Sequence, residues 1–491
     1  MIPSSESRIP LCPPIAPLEP LHSWIPLTPL EVMSETDYDV LIVGSGAGGG
    51  AVLWRLCDQW KSNGKRIGMI EAGDLLLPTH RRNLAILSGG RAEKLFENPE
   101  VTRQIGRTLP EFSGAKQIFA LGGRMLQWDL NANRMPLHSL SRYPVPLKEM
   151  EVYYDIAERA MKVTRPYIQN GALNEKFLNR LQTNGYPEAR DPWMAMDMKP
   201  TRYGEVHSNA YFSSIDFLAE ALNRKGFDLA IKARAVQILT EKGKAAGLKV
   251  MSSEKKSYIL HAKNVVVSAS TLETPRLLLY SGINGCAIGK YLINHSSVKG
   301  TAVVNRSDFP DLLGAIEVMI PETVDRRYQM QLYGRGQPSQ DEVGVGINGF
   351  GLVEPRPENR ITLDPYSMDE YGVPRIRVHF SYSQADLDVI REMTVDMRKV
   401  LTTIGAAPVS VDGQPELCLR PPGEDNHESG TCRIGDDPDT SAADRYGQIH
   451  GISGLYVADN SMLPYLGTNP TLTTTALAIR TADYIIRGSL H

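Results

Sequence analysis

Cysteine is scarce in this chain: five residues in 491, Cys12, Cys57, Cys286, Cys418 and Cys432. Their odd number and scattered spacing supply neither a disulfide framework nor paired metal-ligand motifs, which points to a reducing compartment and to no metal site. Long apolar runs are also missing, since no segment reaches the roughly 18 to 20 uninterrupted apolar residues that span a bilayer. Charge of one sign is not in excess. With 53 basic and 56 acidic residues and a net charge of -3, the chain has no electrostatic footprint for nucleic acid or an anionic membrane. Residues 1–36 are proline-rich but have no basic stretch followed by an unbroken apolar one, so they do not read as a secretory signal. Internal repeats and low-complexity tracts are absent as well. Together these absences predict a soluble, cytoplasmic protein that acts on a small molecule, with no nucleic-acid or membrane partner. Homo-oligomer formation stays open, and residues 1–36 are expected to wrap over the surface or a neighbouring subunit.

At 491 residues the chain is too long for a single core, so two interleaved domains are expected. Residues 38–44 (YDVLIVG) form an apolar run of strand length. They lead directly into Gly44, Ser45, Gly46, Ala47, Gly48, Gly49 and Gly50 and then a helix-like stretch to about Ser62. A second strand over 66–71 (RIGMIE) completes a strand, helix, strand unit. Gly44 permits the tight turn, Gly46 lets backbone approach a pyrophosphate, and Gly49 lets helix and strand pack closely, while the helix N-terminus favours phosphate charge. Glu71 ends the second strand 22 residues after Gly49, close to the offset of a ribose-binding acid. A glycine pattern alone is weak evidence, and a structural turn is the alternative; the strand, glycine, helix, strand, acid order favours a dinucleotide. FAD and NAD are not yet distinguished. Residues 231–248 and 257–270 read as short strands around a turn, as though the sheet were revisited, which would make the nucleotide domain discontinuous.

Four later segments carry a family resemblance. Residues 270–283 (STLETPRLLLYSGI) look like the second signature of the glucose-methanol-choline (GMC) oxidoreductases, with Asn284 in place of the closing glycine. Residues 121–128 (LGGRMLQW) stand where the first signature is found. Their Gly122-Gly123 followed by Trp128 is more similar to the pyranose oxidases, in which the residue before that tryptophan is often a histidine bonded to FAD. Here it is Gln127. Residues 427–435 (HESGTCRIG) resemble the catalytic-histidine segment, and 454–464 (GLYVADNSMLP), followed by Asn469-Pro470-Thr471-Leu472-Thr473, resemble the last flavin-binding portion. The chain is thus similar to a pyranose-oxidase-like branch of the GMC family over roughly residues 38–486.

The resemblance implies non-covalent FAD and oxidation of an alcohol carbon. It implies an α/β fold in which a discontinuous Rossmann-like FAD-binding domain (37–147, 223–297 and 422–491) accompanies an α+β substrate domain built on an antiparallel sheet (148–222 and 298–421). Such chemistry needs a base near the hydroxyl and a hydride acceptor near the carbon. His427 suits the base because a neutral imidazole accepts protons near physiological pH; the other histidines, His295 and His450 included, read as ordinary packing or surface residues. Asn469 is the expected partner, hydrogen-bonding the substrate oxygen, and Asn469-Pro470 also reads as an N-cap and first-turn proline of a helix over 471–486. Expected cofactor contacts are Gly44, Gly46, Gly49, Glu71, Gly123, Val236, Asp459, Asn460, Asn469 and Pro470. Asn131, Asn133 and Trp128 have loop bonding and core packing as equally good explanations. Strands are expected over 343–353, 360–363 and 375–380 and a helix over 384–403. The pattern leans toward a sugar, glycoside, polyol or aminoglycoside-like substrate, with oxygen or another molecule as electron acceptor. A lyase on the same scaffold, oxidation of a simple non-sugar alcohol, and a flavin-bearing protein without turnover are the alternatives.

Overall fold

The computed structural model describes residues 25–76, 79–83, 98, 102–104, 109–164, 171–197, 211–309, 314–336, 342–411 and 413–489. Its first sheet grows from Asp37–Val43, whose last four residues are all buried. Burial on both faces is what a central parallel strand requires. Ile67–Ile70 flanks it on one side and Ser257–Val267 on the other, both parallel to it. Asp228–Ala230 and Leu455–Val457 extend the sheet in the same direction. The N-terminal half of Ser257–Val267 pairs instead with the hairpin Arg234–Glu241 and Lys244–Met251, giving seven strands in all. The revisited sheet is therefore present, with three strands where two short ones are expected. Gly44, Glu71 and Asp459 all follow carboxyl ends of parallel strands and so share one edge, the edge at which α/β sheets bind ligands.

Helix Ala47–Trp60 begins with three buried glycines, an unfavourable composition for a helix. Packing explains them. A Cβ at Gly48 would sit 1.6 Å from the Ala458 carbonyl oxygen, one at Gly49 1.9 Å from that of Gly44, and one at Gly50 3.1 Å from Ser214 Cβ. The helix backbone lies directly on the strand ends, and each glycine answers a different neighbour.

The second sheet has six strands, all antiparallel: Gly314–Ile320, Tyr328–Gly336, Glu342–Gly351 and Ser296–Asn305 in that order, with Ala407–Pro408 and Leu417–Leu419 both on the last. Val298, Ile316, Val318, Met330, Leu332 and Ile347 point to one face and pack against helices Ala172–Thr183 and Gln384–Ile404. The alternate residues Lys299, Glu317, Gln329, Gln331, Tyr333 and Asn348 lie on the opposite face, which also carries apolar residues such as Met319 and Phe350. Arg360–Met368 and Pro374–His379, expected as strands of this region, make a separate two-stranded ribbon. Helix Gln384–Ile404 starts at a Ser383/Asp386 capping box and stops at Gly405 with φ 81°.

Helices Leu147–Ala160 and Ser214–Leu222 pack on Thr471–Gly488 and Ala47–Trp60 and so contribute to the core of the first sheet. Of the N-terminal arm, residues 1–24 lie outside the described residues; Thr28 N–H donates to the Leu229 carbonyl at 2.8 Å, and the short helix Leu30–Ser34 lies against Ser257–Val267. Among the described residues no helix is long and apolar enough to cross a membrane.

One buried carboxyl joins the two sheets. Glu322, just past Ile320, accepts from Ser139 Oγ and lies 2.9 Å from His138 Nε2. It presses on Gly467, where a Cβ would stand 2.9 Å from Glu322 Oε1. Burial, opposed by the Arg142 and Arg327 charges, pushes its pKa up to about 8.

Gly48→Ala is expected to lower stability by about 1–3 kcal/mol through overpacking against the Ala458 carbonyl, read as a fall in melting temperature; an unchanged melting temperature would mean the last strand yields. Because folding raises the Glu322 pKa, the folded state keeps a proton that the unfolded chain releases. This contribution is full below the ordinary carboxylate range and is lost as pH rises toward about 8. Melting temperature measured between about pH 5 and 8 is expected to fall less steeply in Glu322→Gln than in the unaltered protein.

Candidate active site

The turn after the first strand is built for close approach of backbone. Gly44 has φ 91°, and a side chain there would meet the Ser268 carbonyl at 2.4 Å. A second glycine turn faces it: Gly122 and Gly123 have φ 102° and 55°, and a Cβ on Gly123 would stand 3.3 Å from Gly46 Cα. The two turns are fastened by Ser45 Oγ, which accepts from Gly122 N–H at 2.9 Å, and by Ser214 Oγ, which donates to the Ser45 carbonyl at 2.7 Å. Above Gly46 itself a Cβ would meet nothing within 4 Å. Helix Ala47–Trp60 starts here with no side-chain cap and no acid in its first turn. Its positive end therefore opens onto free space between paired glycines, a ready anion cradle.

The acids of the edge are engaged within the chain. Glu71 Oε2 accepts from Ser45 N–H at 3.0 Å and Ser45 Oγ at 2.7 Å, and Oε1 from Gly73 N–H at 2.8 Å; burial raises its pKa against these bonds. Asp459, expected as a strand-end contact, has Oδ1 bonded to Ser461 N–H and Oδ2 to Ser270 N–H and Thr274 Oγ, and burial raises it too. Asn460 Oδ1 accepts from Thr474 Oγ1 at 2.5 Å. Val236 falls at a register shift between Ala235 and Gln237, so the ladder skips it and its backbone stands outside the regular pairing. A cavity of about 320 Å³ lies nearby, lined in part by Gly73, Asp74, Phe119, Lys232, Arg234 and Tyr371.

At the other end of the groove His427 and Asn469 meet, with Asn469 Nδ2 3.3 Å from His427 Nε2. Asn469 does not cap the final helix. Thr471–Gly488 has Pro470 at its N-cap position and no side-chain cap, because Asn469 Oδ1 is taken by two donors from the second sheet, Gln329 Nε2 at 2.9 Å and Gln331 Nε2 at 2.7 Å. Thr468 Oγ1 donates to Gln329 Oε1 at 2.9 Å and extends the chain of amides. Directions then follow along the chain. With Oδ1 committed to accepting, the Asn469 nitrogen is a donor, and His427 Nε2 faces it as an acceptor.

His427 is held from several sides. Ile293 and Ser429 exchange backbone hydrogen bonds of 3.0 and 2.9 Å in an antiparallel bridge, which sets residue 295 opposite residue 427. His295 Nδ1 accordingly lies 2.9 Å from His427 Nδ1, and Phe350 packs on the His427 ring with centroids 5.3 Å apart. Arg124 grips the same loop, donating to Glu428 Oε1 at 2.7 Å, the Asn426 carbonyl at 3.2 Å and the Lys116 carbonyl at 2.6 Å. Glu428 is fully buried. His295, Gln329, Gln331, Arg124 and Glu428 are site residues that sequence reasoning misses. Only Arg124 and Glu428 lie inside the matched motifs; the glutamines carry no local signal beyond polar residues spaced by two. Asn131 and Asn133 bond to each other, Asn133 Oδ1 also accepts from Trp193 N–H, and Trp128 Nε1 donates to the Phe212 carbonyl at 2.8 Å. His450 lies apart, bonded to Ser441 Oγ at 2.9 Å.

Known proteins are similar to this chain. The chain is 26% identical to the C-glycoside 3-oxidase of Arthrobacter globiformis over 72% of its own length and 73% of that protein. It is 25% identical to the 6'''-hydroxyparomomycin C oxidase of Streptomyces lividus, over 91% of both chains, and 24% identical to the paromamine 6'-oxidase of Streptomyces fradiae, over 92% and 93%. The solved structure of pyridoxine 4-oxidase from Mesorbium loti superposes with a TM-score of 0.61 at 15% identity, covering 91% of this chain and 99% of that one, which shows a common fold. Two models described as GMC oxidoreductase match residues 143–297 and 355–478. With the glycine cradle, the buried histidine segment and these matches over more than half its length, the chain belongs to the GMC oxidoreductase family.

Proposed function

We propose that the chain oxidises an alcohol carbon of a sugar, glycoside, polyol or aminoglycoside-like substrate to the carbonyl, using FAD held without a covalent bond. The observation that carries this reading is the His427 and Asn469 pair, with an accepting Nε2 and a donating Nδ2 side by side. The family is FAD-dependent, and the residues present suit that cofactor. Gly44, Gly46, Gly49 and Gly123 leave backbone and open space beside an uncapped helix N-terminus where a pyrophosphate fits. Glu71 and the unladdered Val236 would serve the adenosine end, and Asp459, Asn460, Asn469 and Pro470 the flavin end. With both Asp459 oxygens engaged, that residue's share falls to its backbone. Gln127 stands where a covalent histidine would be, which supports non-covalent binding. Bound FAD supplies the hydride acceptor.

The protein's part is proton handling and orientation. A substrate hydroxyl placed between the pair donates to the His427 Nε2 lone pair in place of the Asn469 amide and accepts from Asn469 Nδ2. As the proton leaves, that amide stabilises the growing negative charge on oxygen. The face of the second sheet that carries Gln329 and Gln331, with Glu317, Tyr333, Asn348 and Lys299, presents both acceptors and donors, as a polyhydroxylated substrate needs. In this reading residues 37–147, 223–297 and 422–491 serve the cofactor and 298–421 the substrate, while within 148–222 the helices Leu147–Ala160 and Ser214–Leu222 support the cofactor half. The relatives named as glycoside and aminoglycoside oxidases support the substrate class and oxygen as acceptor. The few scattered cysteines support a cytoplasmic setting.

Anaerobic absorbance with sugars, polyols, aminoglycosides and simple alcohols tests the proposal: a sugar-like compound is expected to bleach an oxidised-flavin band, and air to restore it. A band that no alcohol bleaches would favour a lyase on the same scaffold. His427→Ala is expected to slow the bleaching by about 10²- to 10⁴-fold with FAD content unchanged. Equal rates would remove His427 as the base. Acid precipitation should release the flavin; flavin that stays with the pellet would contradict non-covalent binding.

A further inference from the structure

Asp425 has no role in the scheme so far, yet it is a buried charge beside the pair. Its side chain is 1% exposed, and its Oδ2 lies 3.3 Å from His427 Nδ1 and 3.7 Å from His295 Nδ1. Neither carboxylate oxygen has a fully formed hydrogen bond among the described residues. A buried carboxylate in that state is costly unless a neighbour supplies a proton or a positive charge. Arg124 and Tyr382 also face it, but Arg124 is committed to Glu428. Asn294 and the Tyr382 hydroxyl face it as neutral groups, and the two imidazoles are the remaining neighbours that can take a positive charge.

Proton accounting decides between them. Two Nδ1 atoms 2.9 Å apart can hold only one proton between them. A carboxylate only accepts, and Asp425 lies nearer His427 Nδ1 than His295 Nδ1, so neutral His427 carries its proton on Nδ1, the atom between His295 and Asp425. His295 then accepts at its own Nδ1, and burial, reinforced by His427, holds its pKa down at about 3, so it stays neutral. From this geometry we infer that Asp425, with His295, is a positioning residue: it accepts a hydrogen bond from the His427 Nδ1–H, holds the tautomer with the lone pair on Nε2, and stabilises the imidazolium formed when Nε2 takes the substrate proton. The step balances without another reactant, since the O–H bond breaks, an N–H bond forms at Nε2, and the Nδ1 proton stays in place. The inference rests on the proposed alcohol oxidation.

Asp425→Asn tests it, because an amide in that place can donate to Nδ1 and so reverse the tautomer. Substrate-driven flavin reduction in air-free solution is expected to slow at least about 100-fold, with FAD content and KM little changed, and Asp425→Glu is expected to recover part of the rate. A wild-type rate in Asp425→Asn would overturn the positioning role. If the unaltered enzyme reduces no flavin with any alcohol, the functional proposal fails instead, and the two failures are distinguishable. A measurement on the unaltered holoenzyme reads the tautomer directly: ¹⁵N histidine labelling should show His427, assigned by difference from His427→Gln, protonated at Nδ1 and bare at Nε2. The opposite tautomer overturns the inference. So would activity that EDTA abolishes and Zn²⁺ restores, because the three side chains bring one ligand atom each within 4.8 Å of one another and would then be holding a metal.

Discussion

Everything else in the molecule depends on the strand Ser257–Val267. It pairs on one side with Asp37–Val43, on the other with Leu455–Val457, and along its first half with the 234–251 hairpin. Three stretches of chain that lie far apart in sequence thereby become one surface. The glycine turn, Asp459 and the loops that precede Asn469 all hang from the ends of strands fixed by this ladder. Parallel pairing offers no local hairpin to set its register, so burial must do so, and the run of Val265, Val266 and Val267 at zero exposure shows that it does.

Much of this unit is legible in the sequence because its signals are local and periodic. A strand-length apolar run, glycines at fixed offsets and an acid one crossover later describe a strand, helix, strand unit whatever surrounds it. The helices over 384–403 and 471–486 are visible for the same reason. Less legible are Ser296–Asn305, Gly314–Ile320 and Tyr328–Gly336, three strands of the second sheet. Their polar side chains face the groove, so stretches such as YQMQLYGRG show glutamines and glycine where a half-buried strand ordinarily shows solvent-facing charges.

The site divides along the same line. His427 and Asn469 are found from the motifs in which they lie, but what surrounds them is tertiary. Residue 295 stands opposite 427 only because Ile293 and Ser429 form a bridge, and no spacing of the two segments announces that bridge. The N-cap reading of Asn469 fails for a related reason. Local preference assigns its side chain to the helix it precedes, whereas two glutamines from the other sheet compete for the same oxygen and win it. Local rules describe what a residue would do alone; a second sheet arriving from above changes the available partners.

The glutamine clamp has a consequence for assembly. Asn469 is carried by the first sheet's loops, while Gln329 and Gln331 belong to the second, so the amide is aimed only when the two halves are seated against each other. A chain whose sheets have each formed but have not yet docked would hold every residue of the pair and still leave the amide free to rotate. The clamp therefore makes the geometry at His427 a report on completed architecture, set by the same contact that seats the two sheets against each other.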